Sequence, residues 1–154
     1  MMNTDADRRN YILLELPSKV EYALLALLEL ASHLDKTHLL TISEISTRQN
    51  IPDRYLEHIF TSLRRGGLVQ SLRGSKGGYI LAREPWQITV LEVVALVEGD
   101  RKQKESDNSI DRALVAEIWQ KANHASLEIL NRYTLQDLCQ RRDALKQEGL
   151  MYYI

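Results

Sequence analysis

Apolar and polar residues follow two rhythms along this chain, and the places where the rhythm changes mark its elements. From Ser18 to His33, Val20, Leu24, Leu27, Leu28 and Ala31 recur every three or four residues, which predicts an amphipathic helix with a wide apolar face. Ser18 and Glu21 have capping-box spacing at its start. A second capping box, Thr41-Ile42-Ser43-Glu44, opens a short helix that carries Ile42, Ile45 and Ser46 and stops near Asn50. Ile51-Pro52-Asp53 restarts the chain, since a proline is tolerated where a helix begins and no N–H is needed. Tyr55, Leu56, Ile59, Phe60 and Leu63 then predict one buried stripe, leaving Arg54, Glu57, His58, Thr61 and Arg64 on the other face. Gly66-Gly67 end that helix. The runs Gly67–Leu72 and Tyr79–Leu81 read as short strands of a hairpin whose tip, Arg73-Gly74-Ser75-Lys76-Gly77-Gly78, has the glycines a tight turn needs. Helix, turn, helix and basic hairpin is the order of a winged helix-turn-helix.

Pro85 marks a boundary beyond the hairpin. Thr89-Val90-Leu91-Glu92 is a third capping box and opens a helix through about Glu98. From Asp100 to Ser109 no residue is apolar, which predicts a surface loop. A long helix follows, from about Ile110 to about Leu130. Its stripe of Leu114, Ile118, Ala122, Ala125 and Ile129, with Val115 and Trp119 beside it, is too long for one small core to cover. Burial against a second copy predicts an isologous dimer; folding back over the chain's own winged domain stays open as the alternative. Thr134 is a good N-cap for a last helix with Asp137 in its first turn, Gly149 is read as its end, and Leu150 to Ile154 form an apolar, aromatic tail. The predicted class is mostly α with a small β-wing: a winged helix-turn-helix domain plus a long dimerisation helix. The division is a mobile tail at 1–15, a DNA-binding domain at 16–86 and a helical dimerisation or regulatory region at 87–154.

Charge sharpens this locally. The whole chain is formally −1, so no global field draws in nucleic acid. Between Ser43 and Arg83, however, seven cations face three anions, a net +4, whereas from Thr89 onward nine cations face eleven anions. A basic module joined to a mildly acidic one fits a DNA reader with a dimerising or sensing part. The candidate DNA contacts are Lys19, Tyr22, Arg54, Tyr55, Glu57, His58, Arg64, Arg65, Arg73, Ser75, Lys76 and Gly77. Residues 53–65 would lie in the major groove, with the wing at 72–80 on the backbone or in the minor groove. Tyr22 has a competing reading as a core residue.

These residues resemble the signature of the Rrf2 family of bacterial transcription regulators. The likeness rests on Tyr55-Leu56-Glu57, Leu63-Arg64-Arg65, Gly67-Leu68-Val69, Ser71, Arg73-Gly74 and Gly77-Gly78-Tyr79, with Ser18-Lys19 and Tyr22-Ala23 in the first helix, and spans nearly all of residues 16 to 154. It implies a dimeric winged-helix repressor or activator on an inverted-repeat operator. Many members hold an iron–sulfur cluster through three cysteines in the loop after the Thr89 helix. Here that loop, Asp100 to Asn108, has none, and Cys139 is the chain's single cysteine. No cofactor is therefore expected. The missing cysteines and the Tyr153-Ile154 ending are instead similar to the cysteine-metabolism branch of the family, whose members are regulated through a complex with cysteine synthase.

Other classes are weighed against this. No phosphate loop, nucleophile elbow or paired acid set points to an enzyme; Gly74-Ser75-Lys76-Gly77-Gly78 is followed by a strand where a phosphate cradle needs a helix. The four histidines, His33, His38, His58 and His124, lack metal-ligand spacing. Cys139 reads as a small apolar filler, or as a redox or iron–sulfur thiol if Arg141, Arg142 or His124 lower its pKa. A winged helix reused as a protein-interaction module remains a rival. No apolar run approaches the ~20 residues of a membrane span and no secretory signal is evident, so a cytoplasmic protein is expected.

Overall fold

The computed structural model of the chain describes residues 11–32, 39–73, 77–99 and 109–152. The elements run α1 (Ser18–Ser32), α2 (Ile42–Gln49), α3 (Asp53–Arg65), β1 (Val69–Leu72), β2 (Gly78–Leu81), a 3-10 turn at Pro85–Gln87, α4 (Val90–Glu98), α5 (Ile110–Arg132) and α6 (Leu135–Tyr152). The fold is mostly helical, with a two-stranded antiparallel wing in which Val69 pairs with Leu81 and Leu72 with Gly78. The predicted loop at 100–108, the wing tip at 74–76 and the last two residues lie outside the described residues.

The core is built where the periodicity places it. Leu56, Ile59, Phe60 and Leu63 of α3 are buried together with Ala23, Ala26, Leu27 and Leu30 of α1 and Ile45 of α2. On α1 the buried line is richer in alanine than the sequence reading has it; Leu24 and Leu28 sit at its margin, half-buried. Small residues on that line let α1 pass close to α3. Tyr55 departs from the buried stripe: it is 52% exposed while Leu56, the next residue, is fully buried, so the edge of the core-facing stripe runs between them and Tyr55 lies on the solvent side.

The turn of the helix-turn-helix is set by local chemistry. Thr41 Oγ1 accepts from Glu44 N–H at 3.1 Å and the Glu44 carboxylate accepts from Thr41 N–H at 3.3 Å, the expected capping box. Asn50, at φ 55° and ψ 52°, takes the left-handed conformation that ends α2, a role asparagine fills more readily than most residues. At the far end of α3, Gly67 (φ 75°) donates to Arg64 C=O and Leu68 N–H donates to Leu63 C=O, both at 3.0 Å. This is a Schellman closure, and the buried Leu63 and Leu68 supply its apolar side.

Three expected caps differ. Ser18 is the first helical residue and not a cap: Glu21 N–H donates to Pro17 C=O at 3.0 Å, taking the bond a capping hydroxyl would supply. Thr89 caps α4 through Glu92 N–H at 3.1 Å, but the Glu92 carboxylate binds the Arg83 guanidinium, so the box is only half made. Gly149 does not end α6, which continues to Tyr152; an isolated glycine costs about 1 kcal/mol in a helix and does not by itself break one. By contrast the box at Thr134 is complete, with Asp137 as the reciprocal acid (2.9 and 3.1 Å).

The core continues across the 86/87 division. Ile88, Val93 and Leu135 belong to the same buried cluster as α1 and α3. Val90 N–H donates to Tyr133 C=O and Leu135 N–H to Ile88 C=O, tying the start of α6 to the segment before α4. α5 differs: it rests against α4 but buries none of its own residues, so it does not close over the winged domain.

Candidate nucleic-acid interface

With one face of α3 committed to the core, its other face is fixed. Arg54, Glu57, His58, Arg64 and Arg65 are all exposed, and spacings of three, four and seven put them along one ridge. Thr61 on the same ridge is tied back to Glu57 C=O at 2.9 Å. At the start of α3, Tyr22 of α1 packs on Tyr55, ring centroids 5.8 Å apart, and Lys19 is exposed one turn earlier. Tyr22 therefore joins its two readings: half-buried against the core, with a neighbour on the exposed ridge. At the other end, Arg64 and Arg73 line one groove of about 660 Å³ between α3 and β1. Gly77 is half-buried beside β2. Ser75 and Lys76 lie outside the described residues.

The wing is held to the core side of α3 and to the segment before α2 by contacts not read from the sequence. Phe60 and Tyr79 pack with centroids 4.5 Å apart. Leu40 exchanges two backbone hydrogen bonds with Tyr79, at 2.8 and 3.3 Å, so a third short strand segment flanks the wing. Gly78 makes that approach possible, since a Cβ there would meet Leu40 O at 2.8 Å. On the opposite side, Glu29 of α1 accepts from Gln49 Nε2 at 2.6 Å and pairs with Arg48 at 3.7 Å, fixing α2 to α1. A single glutamate on a helical face carries no sequence signal for such a clamp. Leu40, in an apolar pair just before a capping threonine, could have been read as a short strand segment.

The other candidates separate from this surface. Leu114, Ile118 and Ile129 on α5 are 50–62% exposed, and Ala122 and Ala125 are exposed as well. His124 pairs with Glu128 on the surface of α5, at 3.2 Å. Cys139 is half-buried against the core. Burial pushes its thiol above the ordinary value, Arg142 pulls it down by less and Asp143 pushes it up; the activation sought from neighbouring arginines is outweighed.

Comparison with known proteins agrees with this geometry. A family described as Rrf2, iron-dependent transcriptional regulator, matches residues 16–141. The chain is 33% identical to the HTH-type transcriptional regulator CymR of Bacillus subtilis over 92% of this chain and 100% of that one. It is 35% identical to the HTH-type regulator IscR of Xenorhabdus nematophila, over 86% of this chain and 83% of that one. The solved structure of an IscR from T. potens superposes with TM-score 0.71 at 34% identity, covering 92% of this chain and 98% of that one. Among the described residues no three histidine, cysteine or acidic side chains cluster, and the chain's single thiol is Cys139. That donor set does not fit a cluster held by one chain. With a matching profile over most of its length and the same winged fold, the chain belongs to the Rrf2 family of transcriptional regulators.

Proposed function

We propose that the protein is a homodimer that reads an inverted-repeat operator, with α3 in the major groove and the wing on the backbone or in the minor groove. The observation that carries this is the division of α3: one face closed into the core, the other a ridge of Arg54, Glu57, His58 and Arg64 with Arg73 across a groove from its end. Arginines of this kind grip phosphate or guanine, and Glu57 suits a cytosine amino group. The exposed apolar side of α5 supports a second copy as its cover. The test is a titration of operator DNA at several salt concentrations. Affinity falling with a log–log slope of about −0.9 per phosphate contact supports the reading; salt-independent or absent DNA affinity supports the interaction module instead.

A second reading concerns control. CymR of Bacillus subtilis is that organism's global cysteine regulator, and this chain has no cysteine at positions 100–108, ahead of α5. Both favour control of cysteine metabolism, with cysteine synthase capturing the tail at Tyr153-Ile154. Deleting those two residues should abolish synthase binding and leave the melting temperature unchanged.

A further inference from the structure

Where α6 meets the end of α1 and the Pro85–Gln87 turn, a cleft of about 590 Å³ opens, within the range of small-molecule sites. Arg142 in its wall spans two elements. Its Nη1 donates to Leu28 C=O of α1 at 3.2 Å, while its Nε is buried without an acceptor among the described residues, Asp143 Oδ1 lying beyond hydrogen-bond reach at 3.8 Å. The guanidinium is thus incompletely satisfied, and about a quarter of the side chain remains exposed. A buried N–H with no acceptor is unfavourable, so small adjustments that give this group a partner are favoured. Leu28 is followed by Glu29, the residue that clamps Gln49 and Arg48 of α2. Through Arg142 the wall of the cleft thus reaches the residue next to the Glu29 clamp that ties α2 to α1.

We propose that this cleft is an effector site for a small zwitterion of the amino-acid class. Its carboxylate would lie on Arg142 and Lys146, its ammonium group on Glu84, and its binding would shift the helix-turn-helix through Leu28 and Glu29. The lining selects this chemistry. A simple anion would meet Glu84 and Asp143 as well as the cations, and a simple cation would meet Arg142 and Lys146. A molecule with both charges satisfies both pairs, while Trp86 and Pro85 offer apolar surface to its side chain. Cys139 also lines the cleft, and as a neutral thiol it acts there as apolar wall.

Binding is independent of the operator reading; its effect on DNA affinity rests on that reading. The full chain is titrated calorimetrically with each of the twenty protein amino acids. At least one should bind, and its methyl ester and N-acetyl derivative should each bind about tenfold more weakly, as should the parent amino acid to K146Q and to E84Q. Both variants alter exposed residues outside the core, so they test the site in a folded protein. No binding by any of the twenty, or binding unchanged in either variant, overturns the site. The same ligand should change operator affinity in the wild type and not in K146Q. Binding with unchanged operator affinity overturns the coupling, whereas loss of all DNA affinity with or without ligand is a failure of the operator reading and is seen separately.

Discussion

Glu57 is the one acid on the exposed ridge of α3 between Arg54 and Arg64. An arginine there adds affinity for any DNA, but a carboxylate meets phosphate repulsion everywhere except opposite a base amino group. Glu57→Ala should therefore relax base preference at one position in each half-site, by about 1–3 kcal/mol of discrimination, with little loss of nonspecific affinity. Selection of binding sites from a random pool measures this; an unchanged consensus would remove the role. Cys139 is governed by burial in the opposite direction. Its folded pKa is raised, so its contribution to stability is complete below the unfolded pKa and is lost as pH rises through the folded value. At neutral pH its alkylation should be slower than that of free cysteine, and any loss of stability due to it should fall on the alkaline side. Faster alkylation would show that the thiol is activated after all. At this scale the sequence was most legible where a residue's type is its function, as with Thr41 or Asn50. It was least legible where function depends on distance: Arg142 lies 114 positions from the Leu28 carbonyl it binds.

Among the elements, the wing depends on a close approach of backbones. A Cβ at Gly78 would sit 2.8 Å from the Leu40 carbonyl oxygen, and backbone cannot step aside as a side chain can. At Gly66 the obstacle is the tip of the Leu96 side chain, which can rotate. Gly78→Ala should thus be the costlier change, about 1–3 kcal/mol, and should loosen the Leu40–Tyr79 bridge and with it the wing. Urea melts of the two variants compare the costs, and equal destabilisation would argue against a backbone clash. The glycines were visible in the sequence as turn formers, but only the packing of Leu40 explains why Gly78 has no room. The same reasoning separates the caps: Thr134 and Thr41 complete their boxes because, among the described residues, no cation draws their acids away, whereas Glu92 is drawn to Arg83. Spacing announces a capping box; the surrounding charges decide whether it closes.

For the whole molecule, the contrast lies between α5 and everything else. The other described helices each contribute to one core, but α5 exposes Ile110, Leu114, Val115, Ile118 and Trp119 at 56–78%. A contiguous apolar face of this kind is unusual on a monomer. Periodicity revealed the stripe, yet one chain cannot reveal its cover, because the cover would be a second copy. Leu114→Glu combined with Ile118→Glu should give monomers by sedimentation, since two carboxylates would be buried in a self-complementary contact on each side. Because neither residue is buried within the chain, the far-UV signal and the melting of the winged domain should be retained, which separates loss of assembly from loss of folding. Operator affinity should then fall towards the nonspecific level: an isolated wing unit reads one half-site and loses the second, set about one helical turn or a multiple of it away. A variant that remains dimeric, or a monomer with full operator affinity, would place the dimer contact or the reading unit elsewhere.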